Sequence, residues 1–514
     1  MLVITMALAA GPLYGADNDQ PPPTPAQEQP EVLTRGPVHE AFAEPVDLNT
    51  QPGYVAPAQP PANIAETPPA ERPTGERFIW VPGYWAWDSE RNSYIWVSGC
   101  WRVAPPNMYW VPGYWVKVAG GWQWIAGFWT PVAGVGQIEY LPAPPVIDDV
   151  QPPGIPPSTD NIWVPPCWYW YQGRYVWRHG YWLVAQADWV WVPSHYVWTP
   201  RGYVFVAGHW DYALEQRGVL FAPVYIPRHV YERPGFFLSL GVVVNIGNLQ
   251  LGLFTCPRYS HYYFGDYYDD FYISIGIYPR FECERRHTWY DPIYQHDRWR
   301  HRRTEPGWEE HQRREYDIRR TDKDLRPPRT YHEMEARQAK LPEPQRGSIQ
   351  MARPMSAVVA DKSAPMKFEQ IKADARQKLS REVTDVRKFG EERSRWESNR
   401  GQRAEDKGQT IRPPSTGTEA RGQRPEVRGQ RAEDRGLSIR PRNESERVKT
   451  PSSPIADKQG SLGIFRKGPP SRPADEQKTD VKDTHRGQGA SRDRDTPRGS
   501  DTSRDKDQRG GERK

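Results

Sequence analysis

The chain has 514 residues, only 37% of them hydrophobic, with 54 Pro and 42 Gly, which excludes a packed core running its whole length. Lys and Arg number 69 against 64 Asp and Glu, a net charge of +5, too evenly balanced for a protein built to neutralise a nucleic-acid backbone. Of the 23 Trp, 19 lie between Trp80 and Trp210, whereas Phe465 is the sole aromatic residue from Gly401 to Lys514. One globular region is therefore flanked by segments with too little apolar surface to offset their ordering entropy.

In chain order, residues 1–16 read as an export signal. The apolar run Met1 to Ala10 ends in the breakers Gly11 and Pro12 and the small pair Gly15-Ala16, and polar chain starts at Asp17. There is no Lys or Arg before Arg35, so the positive start of such a signal is missing, and a frayed apolar terminus is the alternative. The run is too short for a bilayer span, which needs roughly 20 apolar residues, and no other segment qualifies as a transmembrane candidate. Residues 17–76 hold 14 Pro, and residues 1–79 carry ten acids against three bases. This composition predicts an acidic, semi-rigid linker.

A repeat of the form WxxGxW follows. It reads Trp80-Val-Pro-Gly-Tyr-Trp85, then begins again at Trp96, Trp110, Trp124, Trp163, Trp177, Trp191 and Phe205, with a spacing of 14 apart from one step of 16 and one of 39. Fixed-period self-similarity is the strongest organisational signal in a lone sequence. A period of 14 is too short for a helix pair and fits one strand of eight or nine residues plus a turn. Short turns imply antiparallel neighbours, which predicts a mainly β fold of two four-stranded meanders, 78–132 and 161–212. Gly occupies the fourth repeat position in six of eight copies. A bulge with positive φ there would turn both Trp of a repeat onto one face.

Tyr94-Ile-Trp96-Val-Ser-Gly99-Cys-Trp101 and Tyr175-Val-Trp177-Arg-His-Gly180-Tyr-Trp182 resemble the bacterial YXWGXW (WXXGXW) repeat family of exported envelope proteins. The resemblance covers 78–210. It implies an exported chain, in the periplasm, the outer envelope or outside the cell, with no assigned biochemical activity.

Residues 217–300 read as an aromatic β extension that packs as one body with the repeats. Residues 301–399 are charged and helical. Within them, Phe368, Ile371, Ala375, Leu379, Val383, Val386 and Phe389 recur at steps of three and four, an amphipathic helix over 367–395 that is either lone or self-associating as a short coiled coil. Residues 400–514, of which 401–514 carry 27 bases and 19 acids, duplicate Gly401-Gln-Arg-Ala-Glu-Asp as Gly429-Gln-Arg-Ala-Glu-Asp, the pattern of a disordered low-complexity tail.

No catalytic signature is present: there is no GxSxG, GxGxxG, P-loop or HExxH. His195, His209 and His229 could gather on one sheet edge, but histidines among aromatics read as structural rather than as metal ligands. Asp266, Asp269 and Asp270 match no EF-hand loop and read as a solvated acidic turn. No cofactor or metal is expected. The cysteines Cys100, Cys167, Cys256 and Cys283 form no CxxC. In an exported chain an even count permits disulfides, with Cys100 and Cys167 favoured by their equivalent repeat positions, and free buried thiols are the alternative. Trp85, Trp101, Trp115, Trp129, Trp168, Trp182 and Trp210 form a candidate aromatic binding face. Its rings are either core packed on itself or a strip that stacks on sugars. The expectation is a non-catalytic envelope protein with a structural or adhesive role, or else a polysaccharide-binding module. Envelope polymer or polysaccharide is the expected partner, and nucleic acid is not.

Overall fold

In each repeat the residues before the first Trp and after the second include β-branched or aromatic side chains, which suit a pleated strand. The middle pair interrupts it. Pro at the third position, as in Pro82 and Pro112, has no N–H to give a ladder. The computed structural model, which describes residues 29–398 apart from 76, 133–137, 149, 286–287 and 365, accordingly splits every repeat into two short strands. The first repeat contributes Phe78–Val81 and Tyr84–Asp88, and the second Ser93–Val97 and Cys100–Val103.

Pairing then follows an arrangement different from the expected meanders. Tyr84–Asp88 pairs with Ser93–Val97, and Phe78–Val81 with Cys100–Val103. Two consecutive repeats thus make one antiparallel hairpin with a corner halfway along it. The same unit recurs at 108–131, 161–184 and 189–212, giving four bent hairpins. The 16-residue step reflects two extra residues in the first hairpin's turn. In the third, Gln172 and Gly173 both adopt positive φ (48° and 78°), the pattern of the tight turn that matches strand twist.

This register sets the first Trp of one repeat opposite the second Trp of its partner. Trp80 faces Trp101, Trp85 faces Trp96, and so on to Trp191 with Trp210 and Tyr196 with Phe205. All eight pairs are in ring contact, with centroids 4.8 to 5.5 Å apart and planes inclined by 56° to 80°. Inclined pairs at this distance add to area burial through the ring quadrupole.

The fourth-position glycines serve this pairing, and the expected positive φ is absent: Gly83, Gly99, Gly113, Gly127, Gly180 and Gly208 all lie outside the left-handed region. What the fold requires there is the missing Cβ. A Cβ on Gly99 would sit 2.6 Å from the Trp80 ring, one on Gly127 2.4 Å from the Trp110 ring, and one on Gly180 2.3 Å from the Trp163 ring.

Residues 29–75, expected as a linker, are instead a strap built into the body. Val38, Ala41 and Phe42 are buried in a core cluster with Trp110, Trp129, Tyr262 and Ile293. Short strap strands pair with the rest of the chain, Val55–Ala56 with Gly121–Ile125 and Ala65–Thr67 with Phe237–Ser239. The same cluster joins the repeats to the 217–300 extension through Leu220, Leu249 and Leu253. A buried ion pair, Arg102 to Asp211 at 2.6 Å, ties the first hairpin to the fourth.

Helices dominate from Pro292 onward, among them Pro292–His301, Trp308–Thr321 and Tyr331–Lys340. The last, Ala373–Ser398, lies on the first two hairpins. Val383 and Phe389 of its apolar stripe are buried there beside repeat residues, so this chain's own hairpins cover the surface that pointed to self-association. Among the described residues no helix is long and apolar enough to cross a membrane. Segment 1–16, expected as an export signal, and segment 400–514, expected as a disordered tail, lie outside the described residues.

Candidate functional site

At a hairpin corner the ladder stops, and the freed backbone groups need other partners. In the first hairpin they converge on one carboxylate from the strap. Gly83 N–H donates to Glu66 Oε2 at 2.9 Å, Gly99 N–H to Oε1 at 2.9 Å, and the Trp96 indole to Oε1 at 3.0 Å. The second hairpin repeats the arrangement around Glu40, which accepts from Gly127 N–H at 3.1 Å, the Trp124 indole at 3.2 Å and Gly113 N–H. Corner carbonyls are capped as well. His39 Nε2 donates to Pro82 O at 3.1 Å, and Arg393 donates to Pro112 O at 2.9 Å and Ala126 O at 3.1 Å.

Burial governs the ionisation of these groups. It pushes the Glu40 carboxyl up to about 7, against the pull of its N–H donors and of Arg393. Glu66 is likewise raised by burial. Loss of solvent lowers His39 to about 4, so its imidazole is neutral near pH 7 and free to cap a carbonyl.

Between the first two hairpins lies a cavity of about 650 Å³. Both corners face it, through Pro82 and Gly83 and through Pro112 and Gly113, and its aromatic wall includes Tyr84, Trp85, Tyr114, Trp115 and Trp124. Tyr84 stacks on Trp124 with centroids 4.7 Å apart. Trp85 and Trp115 are oriented by their indoles, which donate to Ala62 O at 2.9 Å and Trp85 O at 2.8 Å. The Ala373–Ser398 helix closes the other side with Arg387, Glu391 and Arg395. Nε and Nη2 of Arg387 are buried and have no hydrogen-bond partner among the described residues.

The seven tryptophans of the candidate face are not one surface. Trp85, Trp101 and Trp129 are buried at 1%, 0% and 4% exposure. Trp115, Trp168, Trp182 and Trp210 are half-buried. Of the seven, Trp85 and Trp115 line the cavity, while Trp101, Trp129, Trp182 and Trp210 lie against the first Trp of their partner repeats. The half of each ring set expected to face outward is spent on its cross-strand mate. Cys100 and Cys167 do not bridge. Both are free, buried thiols in separate core clusters, because equivalent positions in different hairpins do not meet.

Among the described residues no group of three or more His, Cys, Asp or Glu is placed to hold a metal. The acidic turn is taken up by arginines: Asp266 meets Arg329 at 2.7 Å, Asp269 meets Arg326 at 2.9 Å and Asp270 meets Arg320 at 2.6 Å. The residues that sequence reasoning missed are Glu40, Glu66 and Arg387. A signal for the first two existed. Each is a lone acid in apolar surroundings, Val38-His-Glu40-Ala-Phe42 and Ile64-Ala-Glu66, but the prolines around them outweighed it.

Comparison with known proteins agrees with this geometry. Residues 78–102, 106–130 and 187–210 match a family model described as WXXGXW repeat (2 copies). Each match falls on one two-repeat hairpin, the first, second and fourth. The third, with Pro166 at the glycine position, is not among the matched residues. No match to the chain is found among curated proteins or solved structures.

Proposed function

From a chain whose repeats are those of the WXXGXW repeat family, we propose an exported cell-envelope protein with a structural or adhesive role and no catalytic activity. The observation that carries this reading is the spending of the repeat aromatics on one another. Two cross-strand ring pairs brace each bent hairpin, and the strap, the extension and the last helix bind the four hairpins into a single body. Such a body suits bearing load or presenting surfaces. Fractionation of the bacterium that makes the protein tests the location. The expected result is a mature chain starting near Asp17 outside the cytoplasm, and full-length uncleaved protein in the cytosol would overturn it.

A polysaccharide ligand is the second reading, favoured by the cavity. Indole and phenol faces stack on sugar rings, and the unpaired Arg387 donors suit a glycan with an acidic group. Acrylamide quenching of tryptophan fluorescence, with and without cell-wall polysaccharide, tests it. Protection that is lost in Trp115→Ala is expected. Equal quenching with and without glycan would refute it.

A further inference from the structure

The four hairpin corners share one backbone design but differ in what fills them. Glu66 fills the first and Glu40 the second. In the fourth, Ser194 stands at the glycine position and fills the corner itself, its Oγ accepting from Gly208 N–H at 2.9 Å. The third corner has no such occupant. Gly180 N–H, the counterpart of Gly99 and Gly127, has no hydrogen-bond partner among the described residues. The Trp177 indole, counterpart of Trp96 and Trp124, donates at 3.3 Å to Nδ1 of the exposed His179.

We propose that the third corner is a binding site for a glutamate side chain carried on an extended segment of a separate acidic polypeptide. The two filled corners define the ligand. In both, a carboxylate takes the N–H groups of the fourth-position glycines together with one indole N–H, and Glu66 arrives on an extended strand, Ala65–Thr67. The third corner offers Gly180 N–H and the Trp177 indole, and Pro166 withholds only the remaining donor. His179 Nδ1 accepts the indole N–H that a carboxylate oxygen takes in the filled corners, and its side chain is exposed to solvent. Exposed Arg178, its guanidinium over the Tyr181 ring at 4.7 Å, adds positive charge beside the corner. This hairpin is also the open one: Tyr171, Val176 and Val184 are 49%, 40% and 57% exposed. A carboxylate there keeps the charge-assisted donors without the burial that raises Glu40 and Glu66. The site is separate from the cavity and does not depend on what fills it.

The test uses the full-length protein labelled with ¹⁵N at glycine and tryptophan. The probe is a synthetic peptide of the sequence from Ala62 to Pro69, which contains Glu66. Downfield shifts of Gly180 N–H and Trp177 Nε1–H are expected. The peptide with Gln in place of the glutamate should bind roughly tenfold more weakly, as a charge-assisted bond becomes a neutral one. In Pro166→Ser the new hydroxyl should occupy Gly180 N–H as Ser194 occupies Gly208, abolishing the shift without lowering the melting temperature. Trp177→Phe should weaken binding and leave the fold intact. Identical binding of the Glu and Gln peptides, or of Pro166→Ser and the parent, would overturn the proposal. So would a response to oligogalacturonate in place of the peptide. A Gly180 amide already shifted in the free protein and unmoved by the peptide would assign the corner to an acidic segment of the chain itself, which also overturns it.

Discussion

The first pair of hairpins and the second pair are built from the same motif in the same register, yet their tryptophans have different fates. In the first pair the strap lays a glutamate into each corner and the last helix covers the outside, so Trp85, Trp96, Trp101 and Trp129 are buried to within a few per cent. In the second pair no strap glutamate fills the corners and Trp163, Trp168, Trp182 and Trp210 stay half-exposed. The motif dictates the hairpin and its ring pairs. Whether those rings become a domain core depends on what the rest of the chain places over them.

The largest test of this contrast is truncation of equivalent rings. Trp101→Ala removes a fully buried ring and should lower unfolding free energy by ~4 kcal/mol. Trp182→Ala, at the same repeat position in the open hairpin, should cost about half as much. Urea melts of the two variants measure the difference, and equal losses would break the comparison.

Next comes the buried carboxylate. Glu66→Ala leaves two glycine N–H groups and the Trp96 indole without an acceptor, a loss of ~3 kcal/mol at roughly 1–3 kcal/mol per stranded donor, reduced by relief of the carboxylate's own burial. The same melts read it, and a neutral result would mean that water replaces the carboxylate.

Glycine at the fourth position should matter in proportion to how firmly its facing ring is held. Gly99→Ala drives a methyl to 2.6 Å from both the Trp80 ring and Val81 O, and should cost ~2 kcal/mol by overpacking. Gly180→Ala meets the half-exposed Trp163, which can shift, and should cost ~1 kcal/mol. Reversal of this order would show that backbone conformation, not ring contact, selects the glycine. Ser98→Val, one residue earlier, should also destabilise, because Ser98 is fully buried and its Oγ donates to Ala222 O at 2.7 Å.

The last test is one of pH. Burial raises Glu40 to about 7 from an ordinary value near 4.5, so the folded state holds a proton that the unfolded chain has already released. Stability from this group is therefore present below about 4.5 and declines as pH rises toward 7. Glu40→Gln removes that dependence. Across this window the melting temperature of the parent should fall relative to that of the variant, and a constant difference would place the Glu40 titration elsewhere.

The repeats, their period and the aromatic character of the fold were all legible in the sequence, because strand and turn chemistry act over a few residues. The extension from Gly218 packs against the repeats through Leu220, Leu249 and Leu253. Strand pairing was not legible. Four meander strands and one bent hairpin per repeat pair share the same local pattern, and the choice rests on where Pro82-Gly83 and its equivalents send the ladder. The strap was misread for a related reason. Its prolines describe the unfolded chain's stiffness, whereas its burial depends on Phe42, Glu40 and Glu66 meeting surfaces far away in sequence. The role of glycine was likewise decided at a distance, since the Trp80 ring that excludes a Cβ from Gly99 belongs to the preceding repeat. Local sequence determined that these segments are short aromatic strands broken at fixed points. Only tertiary structure decided which N–H groups the breaks release, which carboxylates take them, and which tryptophans are left facing water, because each of those outcomes is a contact between residues that the chain itself keeps far apart.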